Sequence, residues 1–163
     1  MSLWWERLGQ GLTEDFSDLP ETAHLARAAV RFHVAALLGC SLGYQREHTG
    51  KAAGIRTHVL VAVGAALLVT VGQQAGLSSA DVSRIIQGVV TGIGFLGAGT
   101  IVKHEDPNHV GGLTTAAGIW LTAAVGLAAG LGREWLAITA TFLALVVLIL
   151  LPHVPRPGPH HQA

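Results

Sequence analysis

Side chains able to do polar chemistry are few in this sequence and sit in four short stretches. The longest runs Gln45-Arg46-Glu47-His48-Thr49-Gly50-Lys51-Ala52-Ala53-Gly54-Ile55-Arg56-Thr57-His58. It sets the Glu47 carboxylate among cations and imidazoles. It reads either as a solvated turn between two apolar segments or as a polar network joining their ends. The second stretch, Ser78-Ser79-Ala80-Asp81, has the form of a helix start, with a serine cap and an acid near the positive helix end. Arg84, Gln87, Gly88 and Thr91 follow at helical spacing and share one face. Asp81 can pair with Arg84 one turn on, and Gln87, inside an apolar run, needs a polar neighbour because lipid offers none. That face reads either as functional or as simple interhelix hydrogen bonding. The third stretch is Lys103-His104-Glu105-Asp106-Pro107-Asn108-His109. Its two acids suit a hard cation such as Mg²⁺ and its two histidines suit zinc, but the spacing is that of an ordinary polar turn. In the fourth, Thr114 and Thr115 open an apolar run and Trp120 lies one to two turns deeper. Threonine hydroxyls there can bond to their own helix or across to another. A nucleophile elbow, a P-loop and a zinc-protease histidine pair are absent from the sequence, so no catalytic residues are assigned. Cys40 lies in an apolar run where a thiol is unreactive.

The elements that carry these stretches follow from composition. Of 163 residues, 50 % are hydrophobic and only 12 % charged, about half the share of an average soluble domain. A disordered chain carries more charge, a nucleic-acid-binding domain more basic charge, and a disulfide-stapled module more than one cysteine. What remains is a membrane protein. Five apolar runs approach the roughly 20 residues that span a bilayer: residues 25–44, 57–75, 82–102, 113–131 and 135–151. None alternates with the period of a barrel strand, so the spans are helices. The expected fold is all-α, polytopic, with about five transmembrane helices and close glycine-mediated packing. Residues 1–24 form an amphipathic and acidic N-terminal segment, residues 25–151 the transmembrane domain, and residues 152–163 a disordered proline- and histidine-bearing tail. Arg27 and Arg31 in the first span read as snorkelling to the interface or as a site within the bundle.

The basic residues set the orientation. Arg46, Lys51 and Arg56 cluster in the first loop, whereas the first 24 residues hold one arginine against five acids. The basic loop belongs in the cytoplasm, which puts the N-terminus outside and the C-terminus inside. A four-span arrangement, with the first run lying flat, keeps the loop inside and brings the N-terminus there too. Five-span topology separates Glu47 and Arg56 from Asp81 and predicts two polar sites, one at each face. Glycines four apart, at Gly39 and Gly43, Gly88 and Gly92, and Gly126 and Gly130, make strips where helix backbones can approach. In the third span Gly88, Gly92, Gly94, Gly97 and Gly99 imply a tightly packed central helix or a local break that exposes carbonyls to an ion.

These stretches together resemble the MgtC/SapB family of bacterial membrane proteins. The resemblance rests on Gly43-Tyr44-Gln45-Arg46-Glu47 with Lys51, Ala53-Gly54 and Arg56-Thr57-His58; on Asp81, Arg84 and Gln87; on Gly92-Ile93-Gly94-Phe95-Leu96-Gly97-Ala98-Gly99; and on Gly112-Leu113-Thr114-Thr115-Ala116-Ala117 with Trp120 and Thr122-Ala123-Ala124. It covers residues 25–151. It implies a multi-pass protein of the bacterial inner membrane linked to growth at low Mg²⁺ and, in pathogens, to survival inside phagocytes. The expected role is regulatory or cation-sensing, through contact with other membrane proteins or as a homo-oligomer in the lipid bilayer, with no nucleic-acid partner. The alternative is a Mg²⁺ transporter or channel. No cofactor is expected beyond Mg²⁺ itself, and no metal ligands are assigned. Longer members carry a soluble C-terminal domain where this sequence has only its proline-rich tail, which puts functions of that domain in doubt.

Overall fold

The structure is a computed structural model that describes residues 22–103 and 110–151. Residues 1–21 of the expected amphipathic N-terminal segment, the 104–109 turn with its candidate metal ligands, and the C-terminal tail lie outside the described residues. Five helices account for most of what is described: α1 Thr22–His48, α2 Ile55–Gln74, α3 Ser79–Ala98, α4 Leu113–Gly130 and α5 Glu134–Leu150. A two-residue antiparallel ladder, β1 Val102–Lys103 with β2 Val110–Gly111, joins α3 to α4. The protein is an all-α membrane protein. By length and composition three helical segments can cross a bilayer: His24–His48, Ile55–Gln74 and Leu113–Gly130. The apolar α5 is shorter, at 17 residues.

The chain divides into two units, Met1–Val30 and Arg31–Ala163. In the first, residues 22–30 are helical, and those whose side chains are described are mostly exposed. The second holds the bundle. Its centre is α4, which lies against α2, α3 and α5 and buries Thr115, Ile119, Thr122, Ala123, Val125, Gly126, Leu127, Ala129 and Gly130. Two apolar clusters fill the bundle. One gathers Val69, Ile93, Ile119, Ala123 and Leu127, and the other gathers Ala35, Ala62, Ala66, Val125, Ala129 and Ala137.

The second cluster is built of small residues because the backbones touch. A Cβ on Gly126 would run into the Ala62 backbone, and one on Gly130 would come within 2.5 Å of the Ala66 carbonyl. Gly39 and Gly43 likewise admit the His58 carbonyl (2.8 Å) and the Ile55 Cα (2.6 Å). Without a hydrophobic force between helices in lipid, such close van der Waals contact is what holds them together.

The glycine-rich α3 behaves differently from α4 within the single chain. It runs unbroken from Ser79 to Ala98, but only Ile93 and Gly97 are buried. Gly97 faces Ala116 at 3.6 Å, a Cβ on Gly99 would meet only carbonyls of α3, and Gly88, Gly92 and Gly94 face open space. The helix also starts and ends earlier than residues 82–102. Ser78 caps it by accepting the Asp81 N–H, and after Gly99 and Thr100 the chain turns into the ladder. Gly112 completes that turn at φ 88°, where a side chain would strike the Thr100 carbonyl. This left-handed position suits glycine alone, and it fixes where α4 begins.

Candidate functional site

The sequence read residues 45–58 as one connecting stretch. In the structure α1 continues one turn beyond Tyr44, so Gln45, Arg46 and Glu47 are helical, and α2 begins at Ile55. The true connection is residues 49–54. That extra turn carries Arg46 inward, to 3 % exposure. Its Nη2 donates to Thr115 Oγ1 on α4 at 2.9 Å. Thr115 is itself 4 % exposed.

His58, in the first turn of α2, is 1 % exposed. Its Nδ1 donates to the Gly54 carbonyl at 2.9 Å. A carbonyl only accepts, so Nδ1 carries the proton and Nε2 of the neutral ring is left as an acceptor. Gly118 on α4 faces this nitrogen, with its Cβ position 3.7 Å away. Arg46 is an electrostatic neighbour of the same ring. Glu47 turns the other way: its Oε2 accepts the Ile55 N–H at 2.9 Å, and the missing side chain of Gly54 leaves room for the carboxylate. It caps α2 in the manner of an N-cap acid supplied by the preceding helix. Gln45 Nε2 reaches the Leu148 carbonyl on α5 at 3.3 Å.

This end of the bundle is under-satisfied. Arg46 Nε, His58 Nε2 and Gln45 Oε1 are buried without a hydrogen-bond partner, as is Thr141 Oγ1 on α5. Buried polar groups are nearly always paired, so Arg46 Nε and His58 Nε2 stand out as atoms of this end whose partners are not among the described residues.

The structure thus brings Arg46, Thr115 and His58 into one knot, with Glu47 beside it. It does not bring in the rest of the predicted cluster. Lys51, Arg56, Thr57, Thr114 and Trp120 are exposed. Asp81, Arg84 and Gln87 belong to the start of α3, which follows the opposite end of α2, about 30 Å away by helical rise. There Ser78 donates to Asp81 Oδ2 at 2.6 Å, and Arg84 stands 3.6 Å from Asp81 Oδ1 in an exposed pair. Gln87 is exposed. Capping accounts for this arrangement. Among the described residues no group of three or more His, Cys, Asp or Glu is placed to hold a metal ion.

The sequence singled out Arg31 but not its partners. Arg31 Nη1 donates to Gln73 Oε1 at 2.8 Å and to the Gly130 carbonyl at 3.0 Å, and Thr70 Oγ1 donates to the same carbonyl at 3.2 Å. Arg31 is half-buried and meets the last residues of α2 and α4, a helix-end position that agrees with an interfacial arginine. Only the polarity of Gln73 near the end of its span hinted at a partner.

Comparison with known proteins extends the geometry. The chain matches the model described as the MgtC family over residues 32–156. It is 43 % identical to Protein SrpB of Synechococcus elongatus over 129 residues, 72 % of this chain and 71 % of that protein. It is 41 % identical to the putative magnesium transporter YhiD of Escherichia coli, covering 76 % of this chain and 60 % of that one. It is 43 % identical to Protein MgtC of Brucella abortus, covering 78 % of this chain but 52 % of that one. The chain therefore spans between half and two thirds of the length of the latter two. No solved structure matches it.

Proposed function

The chain belongs to the MgtC family, and from that premise we propose that it is a multi-pass protein of the bacterial inner membrane that serves Mg²⁺ homeostasis by regulating or sensing rather than by conducting. The magnesium connection comes from the relative whose name is putative magnesium transporter. The regulatory reading rests on one observation: among the described residues the charged side chain buried between the helices is a guanidinium, Arg46, held by a hydroxyl and not by a carboxylate. At low dielectric a divalent cation passing this point is strongly repelled. The hydrogen-bonding groups of the knot do not fit Mg²⁺, which takes oxygen ligands and one or two carboxylates. The acid nearest by, Glu47, is engaged on the α2 N-terminus. In this reading the exposed Lys51 and Arg56 place the 49–54 turn in the cytoplasm, with the start of α1 outside. The protein acts by contact with a second copy or another membrane protein, and it performs no catalysis.

Purified protein in liposomes loaded with a Mg²⁺-sensitive dye tests the proposal. The expected result is no Mg²⁺ entry above that of protein-free liposomes. Entry that falls on Asp81→Ala substitution would favour the transporter reading instead.

A further inference from the structure

We propose that the outward face of α3 is the surface on which two copies of this chain pair side by side in the membrane. The proposal rests on the reading of the protein as one that acts by contact, and it names the contact surface and its partner.

α3 is built inside out for a helix at the rim of a membrane bundle. Ile85, Ile86, Val89 and Ile93 pack into the apolar cluster shared with α2 and α4. At about 100° per residue, the opposite side carries Arg84, Gln87, Gly88, Thr91, Phe95 and Ala98, all exposed. The polar side chains of this face point away from the bundle, and the aliphatic ones point into it. Outward faces elsewhere suit lipid: Leu60, Leu67 and Val71 on α2, and Leu136, Leu143 and Val147 on α5.

The polar face nevertheless crosses the membrane. α3 runs from the end of the bundle where α2 finishes back to the end where α4 begins, and at 20 residues it is as long as α2. Unlike α2, it is not among the helices apolar enough to cross a membrane. Gln87 lies about 12 Å and Thr91 about 18 Å along an axis of about 30 Å. At that depth hydrocarbon offers an amide no partner, and leaving it unpaired is strongly disfavoured. Among the described residues the Gln87 amide has no hydrogen-bond partner.

A second copy satisfies this face. An amide both donates and accepts, so the Gln87 side chains of two copies can bond each other across a twofold axis along the membrane normal. Insertion of both copies in one orientation brings these residues to the same depth. Gly88 and Gly92 lie beside the polar residues, and a Cβ on either would meet open space, so a second backbone can approach closely there. Charge permits the pairing. Asp81 and Arg84 cancel, and they are the only Asp, Glu, Lys or Arg residues on α3. Arg84, with its side chain 80 % exposed, can reach the acid of a second copy as readily as its own.

The test uses the full chain, fluorescently labelled at its N-terminus and reconstituted in phosphatidylcholine liposomes, with bleaching steps counted per protein spot. Two steps are expected at high protein-to-lipid ratio, falling to one as lipid is added. Gln87→Leu should weaken association about tenfold. Gly88→Ile should abolish it by holding the backbones apart. Both positions lie outside the packed face of α3, so circular dichroism should show wild-type helix content in each. In a Cys40→Ala background, Thr91→Cys should cross-link to a dimer on oxidation and Leu143→Cys on α5 should not. Single steps at every ratio overturn the proposal, and more than two steps overturn the twofold pairing. Association that Gln87→Leu leaves unchanged, or equal cross-linking from α5, places the contact elsewhere and overturns it too. Mg²⁺ entry is measured on the same liposomes. A dimer that conducts Mg²⁺ refutes the regulatory reading alone, and a monomer that conducts none refutes the α3 interface alone.

Discussion

Arg31 and Arg46 lie on the same helix, α1, and both reach the same second helix, α4, yet their surroundings are opposite. Arg31 meets the C-terminal end of α4, where its Nη1 donates to the Gly130 carbonyl and to Gln73. A cation there completes a helix terminus and faces the negative end of its dipole. Arg46, about 22 Å further along α1 by helical rise, meets the N-terminal turn of α4, where the dipole is positive. It is more deeply buried than Arg31, and among the described residues its Nε has no partner and its side-chain partner is the Thr115 hydroxyl. Arg31 belongs to the architecture, since its contacts explain themselves. Arg46 is placed where a cation is disfavoured.

The contrast can be broken most forcefully through the glycines. Gly43 meets the Ile55 Cα and the Gly54 carbonyl, both backbone, so neither can yield. Gly43→Val should push α1 off the start of α2 and open the Arg46 end, at a cost of about 3 kcal/mol or more. Gly132, at the Arg31 end, has φ 74° and faces the tip of a flexible side chain. Gly132→Ala should cost only about 1 kcal/mol, mostly from the backbone. Equilibrium unfolding in mixed micelles followed by circular dichroism measures both. Equal losses would mean that the two ends are equally tightly built.

The arginines themselves come next. Arg31→Met removes one of the two side-chain donors to the Gly130 carbonyl, leaving Thr70, and frees Gln73, so it should cost about 1 kcal/mol. Arg46→Met removes the desolvation cost of a buried cation and also its hydrogen bond to Thr115, two opposing effects that should leave the unfolding free energy within about 1 kcal/mol of wild type. The Arg46 variant should therefore unfold no earlier than the Arg31 variant. A loss of stability larger than that of Arg31→Met would make Arg46 the stronger clamp of the two.

Sequence reading located the helices but not the difference between these two ends, and the reasons are physical. Apolar runs reveal a span because lipid demands one. Hydropathy stops where charge begins, however, and a helix need not. Gln45, Arg46 and Glu47 are all good helix formers, so α1 carries them on for another turn and buries the guanidinium that a loop would have left in water. Capping at Ser78 and Asp81 was legible because it is local. The pairing of Arg31 with Gln73, 42 positions apart, was not. The glycine strips show the same limit. Gly126 and Gly130 meet Ala62 and Ala66, small residues at the matching spacing on α2, whereas Gly88 and Gly92 have the identical spacing and meet nothing among the described residues. Spacing reports that a backbone can be approached, not which helix approaches it.

Thr115→Val sharpens the Arg46 side further. It keeps the shape of the side chain and removes the one hydroxyl that Arg46 binds. Interhelical hydrogen bonds within membranes average about 0.6 kcal/mol and rarely exceed 1.7, so the loss in unfolding free energy should be about 1 kcal/mol. Equilibrium unfolding in mixed micelles checks this. No loss would show that the hydroxyl does not hold Arg46 in place.

The smallest expected effect lies at the start of α3, and its smallness carries weight. Asp81 accepts from the Ser78 hydroxyl and stands 3.6 Å from Arg84, whose side chain is 80 % exposed. Water and salt screen such a pair, and exposed pairs contribute between nothing and about 1 kcal/mol. Asp81→Asn keeps an acceptor for Ser78 and leaves the Ser78 cap of the Asp81 backbone N–H in place. Its unfolding free energy should change by no more than about 0.5 kcal/mol, with no change in the ¹⁵N resonances of the His58 ring. The two polar groups sit at opposite ends of α2, so coupling between them would have to pass through about 30 Å of packed helix. A shift in the His58 resonances on Asp81→Asn would mean that the ends communicate. The knot at Arg46 would then be one half of a transmembrane device, and the division between two independent ends would fail.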